Sequence, residues 1–205
     1  MKFHRAIVPL AAAAVACVGL AAPAGAATLP NGHKAVSDSG LTAQLGRTGE
    51  SAMAAPSMAA NGIGRSAVVS GNFTAKFNKS VAGRLRVGYV VGCQVTVGTL
   101  TAGISGNLSM AAPSVSGSVS FPLAPGQIKA VLLSAQAIQG KNAQYQYSGL
   151  EVEAQGCGGY ASARSYATIE AAENFSIDST TNTNNIGGTG AYVQSTLYGK
   201  PFSLS

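Results

Sequence analysis

Groups that titrate near neutral pH are almost missing from this chain. It has two histidines among 205 residues, no tryptophan, and only seven aspartates and glutamates together. The aspartates are Asp38 and Asp178, and the one histidine beyond the N-terminal head is His33. A Ser-His-Asp constellation would have to be built on His33 alone, inside a segment of small residues, so composition argues against an enzyme. Glu151 and Glu153 stand two residues apart, which puts them on one face of any strand, and they read as a solvated edge rather than an acid pair. Gly156-Cys157-Gly158-Gly159 has the glycines of a phosphate loop but lacks the Lys-Ser pair and the following helix. We expect no catalytic residue and no cofactor.

Long apolar runs are as scarce. Beyond the N-terminus nothing approaches the ~18 consecutive apolar residues that a membrane helix requires, so entry into a bilayer would have to be by strands. The N-terminus itself has a basic head (Lys2, His4, Arg5), an apolar stretch from Ile7 to Ala22 and the small residues Ala24-Gly25-Ala26. Residues 1–27 are therefore expected to be a signal peptide, with the mature chain starting at Ala27 or Thr28. Cys17 lies in the apolar stretch behind Ala14-Val15-Ala16, a poor lipobox, and is expected to be removed with it.

Two of the three cysteines then remain, Cys93 and Cys157. In an exported protein an even pair is most simply a disulfide, and the loop it closes is long enough for a stabilisation on the order of 4 kcal/mol. Two thiols and His33 do not complete a tetrahedral metal site, so no metal is expected. The formal net charge is +6, part of it from Lys2 and Arg5 in the head. The other basic residues are scattered and no aromatic side chains interleave with them, which excludes a nucleic-acid partner.

Against these absences stands one long neutral segment. Residues 87–128, between Arg86 and Lys129, contain no charged side chain. The segment opens on the clearest alternation in the chain, Leu85, Val87, Tyr89, Val91, Cys93, Val95 and Val97, a strand with one buried face. Past Gly98 the parity of the apolar residues changes, as a bulge or glycine kink would cause. A second alternation then folds back on itself around Ala111, Ala112, Pro113 and Ser114. With Met110 opposite Val115, one face carries Ile104, Leu108, Met110, Val115, Val119 and Phe121. The other carries Ser105, Asn107, Ser109, Ser116, Ser118 and Ser120. Such a hairpin has two homes. In a soluble sandwich the apolar face meets a second sheet and the outer face usually carries charge. In a membrane barrel the apolar face meets lipid and the polar face lines a lumen. The alternation by itself leaves both open.

The rest of the chain reads as strands. Residues 28–65, rich in Ala, Gly, Ser and Pro, are expected to form a flexible arm with at most a short strand near Leu41 to Leu45. Residues 66–98 and 124–205 are expected to form a β-sandwich, with a hairpin turn at Gly140 to Asn142 and a polar loop from Ser179 to Gly190. Residues 99–123 make the protruding hairpin. The fold class is all-β.

Five blocks in fixed order carry a family resemblance: Gly64-Arg65-Ser66-Ala67-Val68-Val69-Ser70-Gly71, then Gly83 through Cys93, Pro125-Gly126-Gln127-Ile128, Gly156 through Ser165, and Tyr198-Gly199-Lys200-Pro201-Phe202. Together they resemble the MspA-like porins of mycolic-acid-containing bacteria, over roughly Gly64 to Leu204. The resemblance implies a β-sandwich rim domain and a hairpin that contributes two strands to an oligomeric transmembrane β-barrel. It implies a homo-oligomer, typically an octamer, or a mixed ring with a related subunit, in contact with outer-membrane lipid. The function implied is that of a water-filled channel in the outer, mycolate layer of the envelope, through which small hydrophilic solutes diffuse. On this reading the Ile104 set faces lipid, the Ser105 set lines the pore, and Ala111 to Ser114 form the tip at the constriction. Family members have a longer stem and acidic residues at the constriction, so their cation preference does not transfer. Selectivity is expected to be weak, with Arg86 and Lys129 near the stem root favouring anions. The alternative is a secreted or cell-surface β-sandwich binding module without channel activity.

Overall fold

The structure, a computed structural model, describes residues 26–57, 62–105, 128–176 and 187–205. Within them the chain forms nine strands and no helix: β1 (Ala27–Thr28), β2 (Gly32–Asp38), β3 (Leu41–Ala55), β4 (Arg65–Cys93), β5 (Thr96–Ser105), β6 (Ile128–Cys157), β7 (Ala161–Ser176), β8 (Gly187–Tyr198) and β9 (Phe202–Leu204). Every pairing is antiparallel.

Two strands organise the rest. β4 and β6, of 29 and 30 residues, are hydrogen-bonded to each other from Arg65↔Ala154 to Gly92↔Ile128. Alternate residues of β4 are buried along nearly its whole length, among them Ala67, Val69, Phe73, Ala75, Leu85, Val87, Tyr89 and Val91. A period of two sustained over that length can only serve a core that follows the strand, so the ribbon must bend around it. It bends where the register jumps between Lys76↔Asn142 and Val81↔Gly140, with Gly140 at φ 107°. A side chain rarely tolerates that conformation, and glycine does so freely.

The corner divides one continuous sheet into two facing layers. Before it, β4 lies between β3 and β6; after it, between β6 and β7, which carries β8 and β9. The layers meet at a cluster of rings. Tyr147 stacks on Phe73 at 6.0 Å between centroids, and Tyr89 meets Tyr147 and Phe202 edge-on at 6.2 and 5.9 Å. The hydroxyls of Tyr89 and Tyr147 hydrogen-bond to each other inside the core. Burial pushes both phenols well above the ordinary tyrosine range, so both stay protonated and the pair stays neutral. At the far margin Ser66 and Ser205 exchange backbone hydrogen bonds of 2.8 and 3.2 Å, joining β9 to the start of β4.

Cys93 ends β4 and Cys157 ends β6, and the two are joined in a disulfide with Cα atoms 5.9 Å apart. The expected strand from Leu85 to Val97 therefore stops at Cys93. Gln94 and Val95 turn aside to bond with the β6–β7 connection, through Gln94 N–H to Tyr160 O (2.9 Å) and Gly158 N–H to Val95 O (3.0 Å). The register of β4 against β6 also slips at Gly88, where a Cβ would stand 2.2 Å from the carbonyl oxygen of Val131. Only glycine fits that approach.

Three expectations need correction. The segment 28–65 is not a flexible arm, because it contains the 15-residue β3, with Leu41, Ala43, Leu45 and Ala52 buried. Its alternation is hidden in the sequence by small residues and by a bulge between Thr48 and Ser51, where Gly49 has φ 61° and the buried parity changes. The turn expected at Gly140 to Asn142 is the corner of an unbroken β6, since both strands of the ribbon bend together there. Residues 187–190 of the expected polar loop belong to β8, and 179–186 lie outside the described residues.

The bulge in β3 also turns two charges inward. Arg47 and Glu50 are 3% and 1% exposed, so they sit in the core as an ion pair with Nε to Oε2 at 3.0 Å. Arg47 Nη2 donates to Pro30 O at 2.7 Å, and Gly199 closes over the pair, a Cβ there falling 2.4 Å from Arg47 Nη1. Burial raises the Glu50 carboxyl above the usual range, against the lowering influence of the Ser165 hydroxyl and the Arg47 charge.

Two stability measurements test this account. Replacing both cysteines by serine is expected to cost about 4 kcal/mol for the 64-residue loop, read as a lowered urea midpoint that reductant no longer changes. Glu50→Leu alone should cost roughly 3 to 5 kcal/mol by stranding a buried guanidinium, whereas Arg47→Met with Glu50→Leu should lie close to the parent. If the single and double variants proved equally unstable, Arg47 would not depend on its partner.

Candidate functional site

The neutral segment leaves the folded domain along β5. Thr96 pairs with Cys157 beside the disulfide, and after an irregularity Thr101 to Ser105 pair with Gln155 to Glu151. Four residues of β5 lie between Thr96 and Thr101 where β6 has one, and Gly98 is among them. The change of parity beyond Gly98 in the sequence corresponds to this irregularity. β5 is the outermost strand in the order β4-β6-β5. Residues 101–105 are thus hydrogen-bonded into the domain, and the hairpin expected over 99–123 starts within it.

Of the residues expected to face lipid or water, Ile104 and Ser105 are described, opposite Val152 and Glu151. Asn107 to Ser114 and Val115 to Phe121, which contain all the others, lie outside the described residues.

Across from β5, β6 carries two acids at positions that the sequence alone suggests are a solvated edge. Glu151 and Glu153 are half-buried, and each is held by a serine from an adjacent segment. Ser66 Oγ donates to Glu151 Oε1 at 2.5 Å and Ser57 Oγ donates to Glu153 Oε1 at 2.8 Å. Gln155 Nε2 donates to Ser57 Oγ at 3.0 Å and also bonds to the Glu153 carboxylate. Val152 and Ala154 between them are fully buried, which sets the acids and Gln155 on the outward face. Only their alternation with Val152 and Ala154 was visible in the sequence. Nothing there announced Ser57, 96 residues away from Glu153.

The cations stand elsewhere. Arg86 lies opposite Ala135 and Thr168 in the second layer, and its Nη1 is 2.9 Å from Glu170 Oε1. Lys129 pairs with Val91 at the start of β6, also in that layer. Arg86 is therefore held in an ion pair within the second layer, away from the root of β5. Arg65 is turned toward backbone, with Nε donating to Gly159 O at 3.3 Å and Nη1 to Gly64 O at 3.0 Å.

His33 lies away from this region, on a shallow groove of about 330 Å³ with Lys34, Gln44, Thr74 and Lys76, and no acid lines that groove. Among the described residues no three His, Cys, Asp or Glu side chains gather as a metal site, and no helix is long and apolar enough to cross a membrane.

If Arg86 serves the fold, Arg86→Ala should lower stability by about 1 to 3 kcal/mol, because it leaves the Glu170 carboxylate, 7% exposed, without its charged partner. Thermal unfolding of the purified domain checks this, and an unchanged midpoint would show the pair to be dispensable.

A family model described as MspA matches residues 39–183, more than half of the chain, from just before β3 to beyond β7. No curated protein matches the chain.

Proposed function

Because the chain belongs to the MspA family, a family of outer-membrane β-barrel porins, we propose that it is one subunit of a water-filled channel through which small hydrophilic solutes diffuse passively. The observation that carries the reading is the neutral segment 87–128 and its two-sided alternation. A hairpin exposed to water on its polar face would ordinarily carry charge there, whereas one exposed to lipid on its other face must carry none. Each subunit lends two strands. Leu108, Met110, Val115, Val119 and Phe121 turn to lipid, and Ser105, Asn107, Ser109, Ser116, Ser118 and Ser120 turn to the water column; Ile104, expected among the lipid-facing set, lies in register opposite the fully buried Val152 and so shares the face that covers the domain's core.

A lone hairpin leaves both edges unpaired, which hydrocarbon does not tolerate, so the barrel closes only in a ring of copies. The family resemblance points to eight, from this chain alone or shared with a related subunit. Exported through its signal peptide, the ring would stand in the mycolate layer with the domain described above as its rim. The arms 104–110 and 115–121 reach about 23 Å each at ~3.3 Å per residue before tilting, short of the ~25 Å apolar band of a bacterial outer-membrane barrel. The edge strand at 101–105 would then stand at the lipid boundary, with the channel mouth beside it. Hydroxyl and amide groups along the stem set no strong preference of their own, and Ala111 to Ser114 put no charge at the tip.

The test is to extract the protein in detergent and record it in a planar bilayer. A heat-labile oligomer giving stepwise conductance is expected. Leu108→Arg should abolish insertion, at about 2 to 4 kcal/mol per copy for a charge at the midplane, while the rim still folds with its disulfide. A monomer that stays in the aqueous fraction and never conducts would instead identify a secreted or cell-surface sandwich module.

A further inference from the structure

We propose that copies of this chain join side by side through the second layer, the β6 margin of one copy meeting the β8 margin of the next. This rests on the ring of copies proposed above and adds to it the two surfaces that make the contact.

The first ground is the chemistry of the edges. Across the second layer the strands run in the order β6, β4, β7, β8. From 130 to 139 β6 is hydrogen-bonded to β4, and among the described residues no strand pairs with its other side. β8 closes the opposite margin, paired with β7 alone. One of its carbonyls, Thr196 O, accepts a hydrogen bond from Lys34 Nζ at 3.0 Å. A free edge in a soluble sheet is ordinarily blunted by charged residues, proline or short length. Here residues 130–139 and the 12 residues of β8 contain neither charge nor proline.

The second ground is what these margins expose. Leu132 lies opposite Gly88, Gly88 opposite Tyr166 and Tyr166 opposite Tyr198, so the four stand in one row on the outward face. At the two ends of the row Leu132 is 48% exposed and Tyr198 49%. Ile128 extends the apolar surface along the β6 margin and Tyr192 along the β8 margin, both exposed. The outward face of the first layer differs. Asn72 and Thr74 lie there opposite Gln146 and Gln144, and Gln144 Nε2 donates to Asn72 Oδ1 at 3.1 Å.

The third ground is direction. Three antiparallel pairings separate β6 from β8, so the two run opposite ways. When β8 of one copy is laid beside β6 of the next, the antiparallel order continues, and the row that ends on Tyr198 resumes at Leu132. Strand addition supplies backbone hydrogen bonds, and the exposed side chains supply apolar area. The two margins are different surfaces, so the contact is head-to-tail, the kind that closes a ring when the rotation permits.

The experiment is cysteine cross-linking of the detergent-extracted oligomer with a bismaleimide that reaches about 15 Å, three strand spacings. Cys93 and Cys157 are buried and tied to each other, so they do not react. Leu132→Cys with Tyr198→Cys in one chain should give a ladder of covalent multimers on a denaturing gel. Each single variant should run as the monomer, because equivalent residues of adjacent copies would stand four strands, about 19 Å, apart. An oligomer assembled from a mixture of the two single variants should stop at dimers. A conducting oligomer whose double variant yields no ladder would overturn the proposal and leave the channel reading standing. Dimers from either single variant alone would overturn it too, by showing a symmetric contact. A ladder from an oligomer that never conducts would support the contact and overturn the channel reading, and a protein that stays monomeric would overturn both.

Discussion

The mutual pairing of β4 and β6 is the constraint on which the domain depends. Each is too long for a flat sheet to bury on one side, and their shared corner turns that length into two layers without a break in the ladder. Everything else attaches to this ribbon: β3 and β7 flank β4 on either side of the corner, and β5 flanks β6. The disulfide ties its two strands where they end, so the layers cannot open there like a book. Inside, Tyr89 and Tyr147 meet across the fold. Their hydroxyls satisfy each other, and a ring cluster that would otherwise bury two unpaired polar groups is left neutral.

Scarcity of charge makes each charged residue informative. With a tenth of the chain charged, three of the five glutamates are committed to ion pairs within the described domain. Glu50 is held with Arg47 beneath Gly199, while Glu170 and Glu173 of β7 reach back to cations of β4. Glu151 and Glu153 are the exception. They sit on the strand that pairs with β5, held by serines rather than by cations.

How much of this was legible before the fold differed from segment to segment. The stretch from Leu85 to Cys93 could be read because its buried residues are large and strictly alternate. β3 could not, because alanine and glycine hide its alternation and the bulge at Gly49 shifts it, while its two most buried polar residues look like surface charge. Gly140 to Asn142 has the composition of a hairpin turn and becomes a corner instead. A glycine with positive φ serves either geometry, and only the partner strand decides which.

The sequence by itself determined the all-β class, the pairing of Cys93 with Cys157, and the neutrality and two-sidedness of the segment beyond Gly98, since these follow from residue type, count and period. It also carried the family, through the order of blocks no one of which is specific. Only the tertiary structure decided that Arg86 is bound by Glu170, that Arg47 and Glu50 lie in the core, and that Glu151 and Glu153 stand beside the root of β5. Those facts depend on which distant strands become neighbours and in what register. A shift of one residue would have turned each of these side chains to the opposite face, and local sequence does not record that choice.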